Sequence, residues 1–100
     1  LIEIGLVKAY LDAAFAELVE RKNDTIIVRF EKASLKFFLT QDYFEAISKT
    51  HLKAKISDNQ GKVEITFDVR NKKDYEILEE LKIFGQTFME IKERKEKKEA

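Results

Sequence analysis

The feature that most constrains the fold is a strand–strand–helix pattern that occurs twice. The first copy covers residues 25–50 and reads TIIVRF, then LKFFLT, then the helical DYFEAISK. The second covers residues 51–94 and reads HLKAKIS, then KVEITFDV, then the helical DYEILEEL. Alternating apolar residues are typical of half-buried strands, and apolar spacings of three and four are typical of amphipathic helices. The two units therefore predict an α+β fold.

Residues 2–22 are predicted to form a helix that precedes both units. The apolar residues of this stretch recur at spacings of three and four: Ile4, Val7, Leu11, Ala14 and Leu18. Asn23 is a suitable stop, because Asn tolerates the left-handed conformation common at helix ends. The predicted order is αββαββα. It has three helices and a four-stranded, mostly antiparallel sheet, because short connections at 31–34 and 58–61 force antiparallel pairing.

The alternation also predicts which strand residues point into the core. The inner-face set is Ile26, Val28, Phe30, Leu35, Phe37, Leu39, Leu52, Ala54, Ile56, Val63, Ile65, Phe67 and Val69. Asp42 is predicted to cap the middle helix, with Glu45 at the capping-box spacing and Phe44 and Ile47 as core contacts. The last helix is expected to begin near residues 71–74 and to reach residue 96 or beyond. Its predicted buried stripe is Ile77, Leu81, Phe84, Phe88 and Ile91.

Length and composition limit the classes of protein. One hundred residues predict a single domain, 1–100, in which about residues 92–100 form a charged helix end that frays. The chain has no Cys, so it has neither disulfides nor thiolate metal ligands. No transmembrane segment is expected, because charged residues interrupt the apolar N-terminal stretch. We predict a cytoplasmic protein, and its abundant Lys and Glu are a feature of thermophilic proteins.

The predicted first helix has a second apolar face, which leads to the main functional hypothesis. One face of helix 2–22 covers the core, and the other carries Leu6, Tyr10, Ala13, Phe15 and Val19. A contiguous apolar patch on a monomer usually marks an interface. Two-fold pairing is the commonest way to bury such a patch. The sequence therefore predicts a non-catalytic assembly module that forms a homodimer through this helix. The competing interpretation is that the last helix, with Gly85, covers this face within one chain and leaves a monomer.

The alternative hypothesis is a nucleic-acid-binding module. The whole chain has net charge 0, but residues 49–73 contain seven basic and three acidic residues, a net charge of +4. Basic residues and one Phe are predicted on the outer face of the sheet, where they would contact phosphates and bases: Arg29, Lys36, Phe38, Lys53, Lys55 and Arg70. Glu64 and Asp68 interrupt this basic surface.

An enzyme or a small-molecule-binding protein is the third hypothesis. Catalysis needs a nucleophile with a base, or a metal site, and the sequence shows no such spacing. The single histidine, His51, is predicted to be an exposed strand residue. The acidic residues at the start of the last helix are explained by the helix dipole: Asp74, Glu76, Glu79 and Glu80. No cofactor and no metal are predicted.

Overall fold

The computed structural model describes Leu11, residues 16–31 and residues 39–99. Within these residues the elements are β1 (Ala16–Lys22), β2 (Thr25–Glu31), α1 (Thr40–Ser48), β3 (Lys53–Asn59), β4 (Lys62–Asp68) and α2 (Asp74–Glu99). The four strands form one antiparallel sheet in the order β1-β2-β4-β3. The second strand of each hairpin lies in the centre of the sheet. The α+β class is confirmed, with a repeated ββα order.

The predicted αββαββα arrangement is wrong, because residues 16–22 form strand β1 rather than the end of a helix. β1 pairs with β2, and the register shifts between Ala16 and Leu18. This bulge places one extra residue in β1, so that Ala16 and Val19, which lie opposite Phe30 and Val28, are three positions apart. A spacing of three imitates a helix. Leu11 is helical and buried, and residues 1–10 and 12–15 lie outside the described residues.

The strand predicted at residues 35–39 is not among the four strands of the described sheet, whose remaining place is taken by β1. Residues 32–38 lie outside the described residues, so the predicted inward orientation of Leu35 and Phe37 stays a prediction. Leu39 itself precedes α1 and is 56% exposed, so its predicted inward orientation is wrong. The first ββα unit therefore begins one strand earlier than the sequence indicated.

Most of the predicted inner face is confirmed. The residues from the two central strands are fully or almost fully buried: Ile26, Val28, Phe30, Val63, Ile65 and Phe67. Leu52 and Val69 are buried as well, and Ala54 and Ile56 on β3 are partly buried against the core. The predicted stripe of the last helix is also confirmed, since Ile77, Leu81, Phe84, Phe88 and Ile91 are at most 1% exposed.

Helix α1 begins earlier and is oriented differently from the prediction. Its N-cap is Leu39, and Asp42 lies at the third helical position, where its carboxylate accepts the Leu39 N–H at 2.7 Å. The residues that α1 buries are Asp42, Tyr43 and Ala46, whereas Phe44 is 56% exposed. The predicted core contact of Phe44 is therefore wrong, while Ile47 packs partly against the core.

Both helices pack on the inner face of the sheet and on each other. The Phe30 ring lies 5.6 Å from Tyr43 of α1 and 5.1 Å from Phe88 of α2, measured between ring centroids. Lys95 and Arg94 of α2 form ion pairs with Asp42 and Glu45 of α1, at 2.9 and 3.3 Å. The charged end of α2 thus contacts α1. That this end frays in solution stays a prediction.

A turn between β3 and β4 is confirmed, but it is shorter than the predicted connection at 58–61, because Asp58 and Asn59 belong to β3. The two loop residues Gln60 and Gly61 have φ values of 52° and 79°. Positive φ at both central positions is the requirement of a type I′ hairpin, for which Asn-Gly is the favoured pair. Glycine meets this requirement at no steric cost, whereas a glutamine in this region is strained.

We expect opposite effects from two substitutions in this turn. Gln60→Asn should raise the free energy of unfolding by about 0.5 kcal/mol, because Asn adopts positive φ more readily. Gly61→Ala should lower it by about 1 kcal/mol. A Cβ at residue 61 would meet no atom within 4 Å, so the cost is conformational rather than a clash. Urea denaturation of both variants measures the effects; equal stabilities would contradict the turn assignment.

Candidate functional site

The candidate site lies on the outer face of the sheet, opposite α1 and α2, and it continues around the end of β3. The register places Lys53 beside Asp68 and Lys55 beside Thr66. On the other side of β4, Thr25 lies beside Asp68. These residues, with Ala54 and Arg70, line a shallow depression of about 330 Å³. Because Lys53 and Lys55 come from alternate positions of one strand, both project from the same face.

Two further depressions continue from this one around the edge of the sheet. The first, also about 330 Å³, is lined by His51, Lys53, Asp68, Arg70, Asn71 and Lys72. The second, of about 360 Å³, is lined by His51, Lys72, Tyr75, Glu76, Glu79 and Glu80 at the start of α2. We call the three together the edge surface. It changes from basic on the sheet to acidic on α2, and the Tyr75 ring is 65% exposed beside it.

The lysines of the edge surface differ from the arginines of the sheet in their ion pairing. Arg29 donates its Nε–H to Glu64 on the neighbouring strand at 2.8 Å. Arg70 lies 3.7 Å from Asp24, with both side chains exposed. Within the described part of the chain, Lys53, Lys55 and Lys72 form no ion pair. The charges of Lys53 and Lys55 are thus available to an anionic partner, whereas the charge of Lys72 also acts on Glu80.

The structure brings together three of the six residues predicted to contact nucleic acid. Lys53, Lys55 and Arg70 lie together in the edge surface. Arg29 lies on the same face, half-buried and paired with Glu64. Lys36 and Phe38 lie outside the described residues. Lys72 and Tyr75 complete the surface. Lys72 belongs to the basic region 49–73 but is not among the predicted contacts, and Tyr75 lies beyond that region. Their position follows from the turn at residues 69–72, where Lys72 N–H bonds Val69 C=O and Asn71 has a φ of 63°.

The predicted self-association residues lie elsewhere. Val19 is 8% exposed and belongs to the core of its own chain, because β1 turns it inward beside Val28. Leu6, Tyr10, Ala13 and Phe15 lie outside the described residues. Val19 thus does not extend an exposed apolar patch, and the homodimer predicted from the sequence finds no support in the described structure.

His51 is exposed as predicted, but it precedes β3 and has a partner. Its backbone N–H donates to Glu80 Oε2, and its ring Nδ1 lies 3.0 Å from Glu80 Oε1. Burial raises the pKa of the Glu80 carboxyl, yet the hydrogen bonds and charge from His51, with the nearby Lys72, outweigh it and hold the pKa below 4.5. Glu80 therefore holds the segment before β3 against α2, in the third depression of the edge surface.

Other polar groups have structural explanations. Burial, together with Asp42 and Asp58, raises the pKa of Tyr43 to about 12, so its phenol stays neutral at physiological pH. Thr50 and Thr87 are buried and donate to the C=O groups of Ile47 and Ile83. Among the described residues no group of three His, Asp or Glu side chains is placed to hold a metal ion. Nor is any described helix long and apolar enough to cross a membrane. The cytoplasmic location stays a prediction.

The Glu80 contact predicts a pH dependence of stability. Because its pKa is lower in the folded chain than the ordinary 4.5, the contact stabilises the fold fully above that value. The stabilisation is lost as the pH falls through the folded pKa. Glu80→Gln should therefore unfold at lower urea than the parent chain at pH 7, and the difference should shrink towards pH 3. A difference that is constant across this range would contradict the assignment.

Comparison with known proteins adds one informative likeness. No protein-family model and no curated protein matches the chain. Among solved structures, it is similar to one described as "Crystal structure of C-terminal domain of transcription-repair coupling factor". The two sequences are 58% identical, the match covers 91% of this chain, and the TM-score is 0.81. The chain spans 56% of the length of that solved chain.

Proposed function

We propose that this chain is the counterpart of the C-terminal domain of a transcription-repair coupling factor and acts there as a non-catalytic binding module. The observation that carries the proposal is the 58% identity over 91% of the chain, with a TM-score of 0.81. The matched structure extends beyond this chain, which spans 56% of its length. The activity of a complete coupling factor therefore involves more residues than these one hundred.

The shape and chemistry of the surface support binding rather than catalysis. The depressions of the edge surface are shallow and open to solvent, whereas small-molecule sites are clefts or cavities that bury most of the ligand. A hydrolytic or transfer reaction needs a nucleophile within hydrogen-bond reach of an oriented base. The His51–Glu80 pair in the described structure contains no such nucleophile: it connects a backbone segment to α2. A macromolecular partner suits this arrangement better than a substrate.

A domain exchange tests the proposed function. The matched segment of a transcription-repair coupling factor is replaced by this chain, and the repair of transcribed DNA is measured in cells carrying the chimaera. We expect repair close to that of the parent factor, because the fold and more than half of the residues are the same. A factor with the segment deleted defines the lower limit.

A folding control makes the exchange informative. The same chimaera with Phe30→Ala should lose the function of the segment, since truncating a buried Phe costs about 3–5 kcal/mol. If the parent chimaera melts cooperatively at the temperature of the natural factor and still repairs no better than the deletion, the proposed function is wrong.

Direct contact with nucleic acid is a second candidate, and the lysines of the edge surface favour it. Lys53, Lys55 and Lys72 form no ion pair within the described structure, and they adjoin Arg70 along contiguous depressions. Phosphate neutralisation by such cations supplies most sequence-independent affinity for nucleic acids. A protein of transcription and repair works on DNA, so the proposed identity is compatible with this contact. Base stacking has less support, because the described outer face carries no Phe or Trp.

We expect Lys53→Glu with Lys55→Glu to abolish binding of a DNA or RNA oligonucleotide while the chain stays folded. Both side chains are exposed and make no ion pair in the described structure, so the fold loses no such contact. The parent chain should show an affinity that falls steeply with salt, by about one unit of log–log slope per phosphate contact. Fluorescence anisotropy between low and high salt measures both effects.

The matched control reverses two exposed lysines away from the edge surface, Lys49 and Lys97. This variant, Lys49→Glu with Lys97→Glu, has the same net charge as the first and should keep most of the affinity. Equal loss in both variants would mean that overall charge matters rather than this surface. Full binding by the Lys53/Lys55 variant would eliminate the nucleic-acid candidate.

A further inference from the structure

The two edges of the sheet differ in their capacity to accept another strand. β1, at one edge, carries a bulge between Ala16 and Leu18, and bulges interrupt the pairing that an added strand requires. β3, at the other edge, pairs with β4 in unbroken register from Lys53 opposite Asp68 to Asn59 opposite Lys62. No other described strand lies beyond β3. The β3 edge is therefore regular, and no described strand covers it.

The hairpin geometry determines which backbone groups of β3 point outward. A two-residue loop connects Asn59 to Lys62, and the residues that flank such a loop form a hydrogen-bonded pair. Hydrogen-bonded and non-hydrogen-bonded pairs then alternate along the ladder. Lys53 and Lys55 therefore bond to β4, whereas Ala54 and Ile56 direct their N–H and C=O groups away from it. These are the groups that a fifth strand would bind.

The side chains of the same strand specify the chemistry of such a partner. On the inner face, Ala54 and Ile56 are only partly buried against the core. On the outer face, Lys53 and Lys55 are exposed and form no ion pair in the described structure. A second copy of β3 paired with Lys55 opposite Lys55 would bring like charges together, which is unfavourable between neighbouring strands. A strand with acidic residues on the outside and apolar residues on the inside would satisfy both faces.

We propose that the β3 edge accepts a β-strand from a partner protein, with Asp or Glu opposite Lys53 and Lys55 and apolar residues beside Ala54 and Ile56. Strand addition of this kind takes its affinity from main-chain hydrogen bonds and its specificity from alternate side chains. The inference deepens the proposed function by naming the partner's chemistry. The inference rests on one part of the proposed function, namely that the chain is a binding module.

The experiment uses the full chain and two synthetic peptides of eight residues, one alternating Glu with Val and the other alternating Lys with Val. NMR follows amide hydrogen exchange during titration. The acidic peptide should slow exchange at Ala54 and Ile56, which face the open edge. It should bind about tenfold more tightly than the basic peptide, because two cross-strand charge pairs change sign.

Two variants test the backbone and the charges separately. Ala54→Pro removes an outward N–H, a substitution that edge strands tolerate, and should abolish peptide binding in a folded chain. Its control, Ala54→Val, keeps the N–H and should bind as the parent does. Lys53→Glu with Lys55→Glu should reverse the preference towards the basic peptide, and it tests the proposal even if the proline variant fails to fold.

Three results would overturn the proposal. The first is that neither peptide slows exchange at Ala54 and Ile56. The second is that the acidic peptide binds equally well to the charge-reversed variant. The third is that an oligonucleotide binds at Lys53 and Lys55 while neither peptide binds, which would assign the surface to nucleic acid. A failed domain exchange with successful peptide binding would overturn the proposed identity alone.

Discussion

The contact on which the rest of the structure depends is the stacking of Phe30 on Phe88. Their ring centroids are 5.1 Å apart with planes inclined by 15°, and Tyr43 and Phe84 surround the same rings. One central strand and both helices therefore meet at a single aromatic cluster. Losing one such ring costs about 3–5 kcal/mol, a large part of the roughly 5–15 kcal/mol by which a domain is stable. Because this cluster holds both helices on one face, the opposite face stays uncovered by α1 and α2.

The uncovered face owes its character to the arrangement of charge. In the centre of the sheet, Arg29 and Glu64 neutralise each other across neighbouring strands. At the β3 edge, Lys53 and Lys55 form no such ion pair among the described residues, although Asp68 is the neighbour of Lys53 in the ladder. An edge strand commonly carries lysines that discourage pairing with further copies. The same lysines favour an acidic strand or a phosphate, so one feature both opposes self-association and selects a partner.

The homodimer hypothesis lost its structural basis and the nucleic-acid hypothesis kept its own, and the difference has a physical reason. The homodimer hypothesis depended on helix 2–22, and it lost its basis where β1 replaced the end of that helix. Ala, Glu, Leu, Arg and Lys in this segment are good helix formers, yet pairing with β2 outweighs their intrinsic preference. The nucleic-acid alternative depended on charge within residues 49–73, where the structure has the two predicted strands, β3 and β4. It is also the hypothesis with which the likeness to a transcription-repair coupling factor domain agrees better.

The sequence alone determined the features that repeat locally. Alternation identified β2, β3 and β4, apolar spacing identified the buried stripe of α2, and turn residues identified the loop at Gln60 and Gly61. It also located three members of the candidate surface, Lys53, Lys55 and Arg70.

Only the tertiary structure decided what depends on contacts between distant residues. It placed β1 at one edge and β3 at the other, opposed Arg29 to Glu64, and brought His51 against Glu80 of α2. Each of these joins residues far apart in the chain, and a local pattern carries no information about such pairs. A bulge that turns a strand's period into three is invisible in sequence for the same reason: its partner strand defines it.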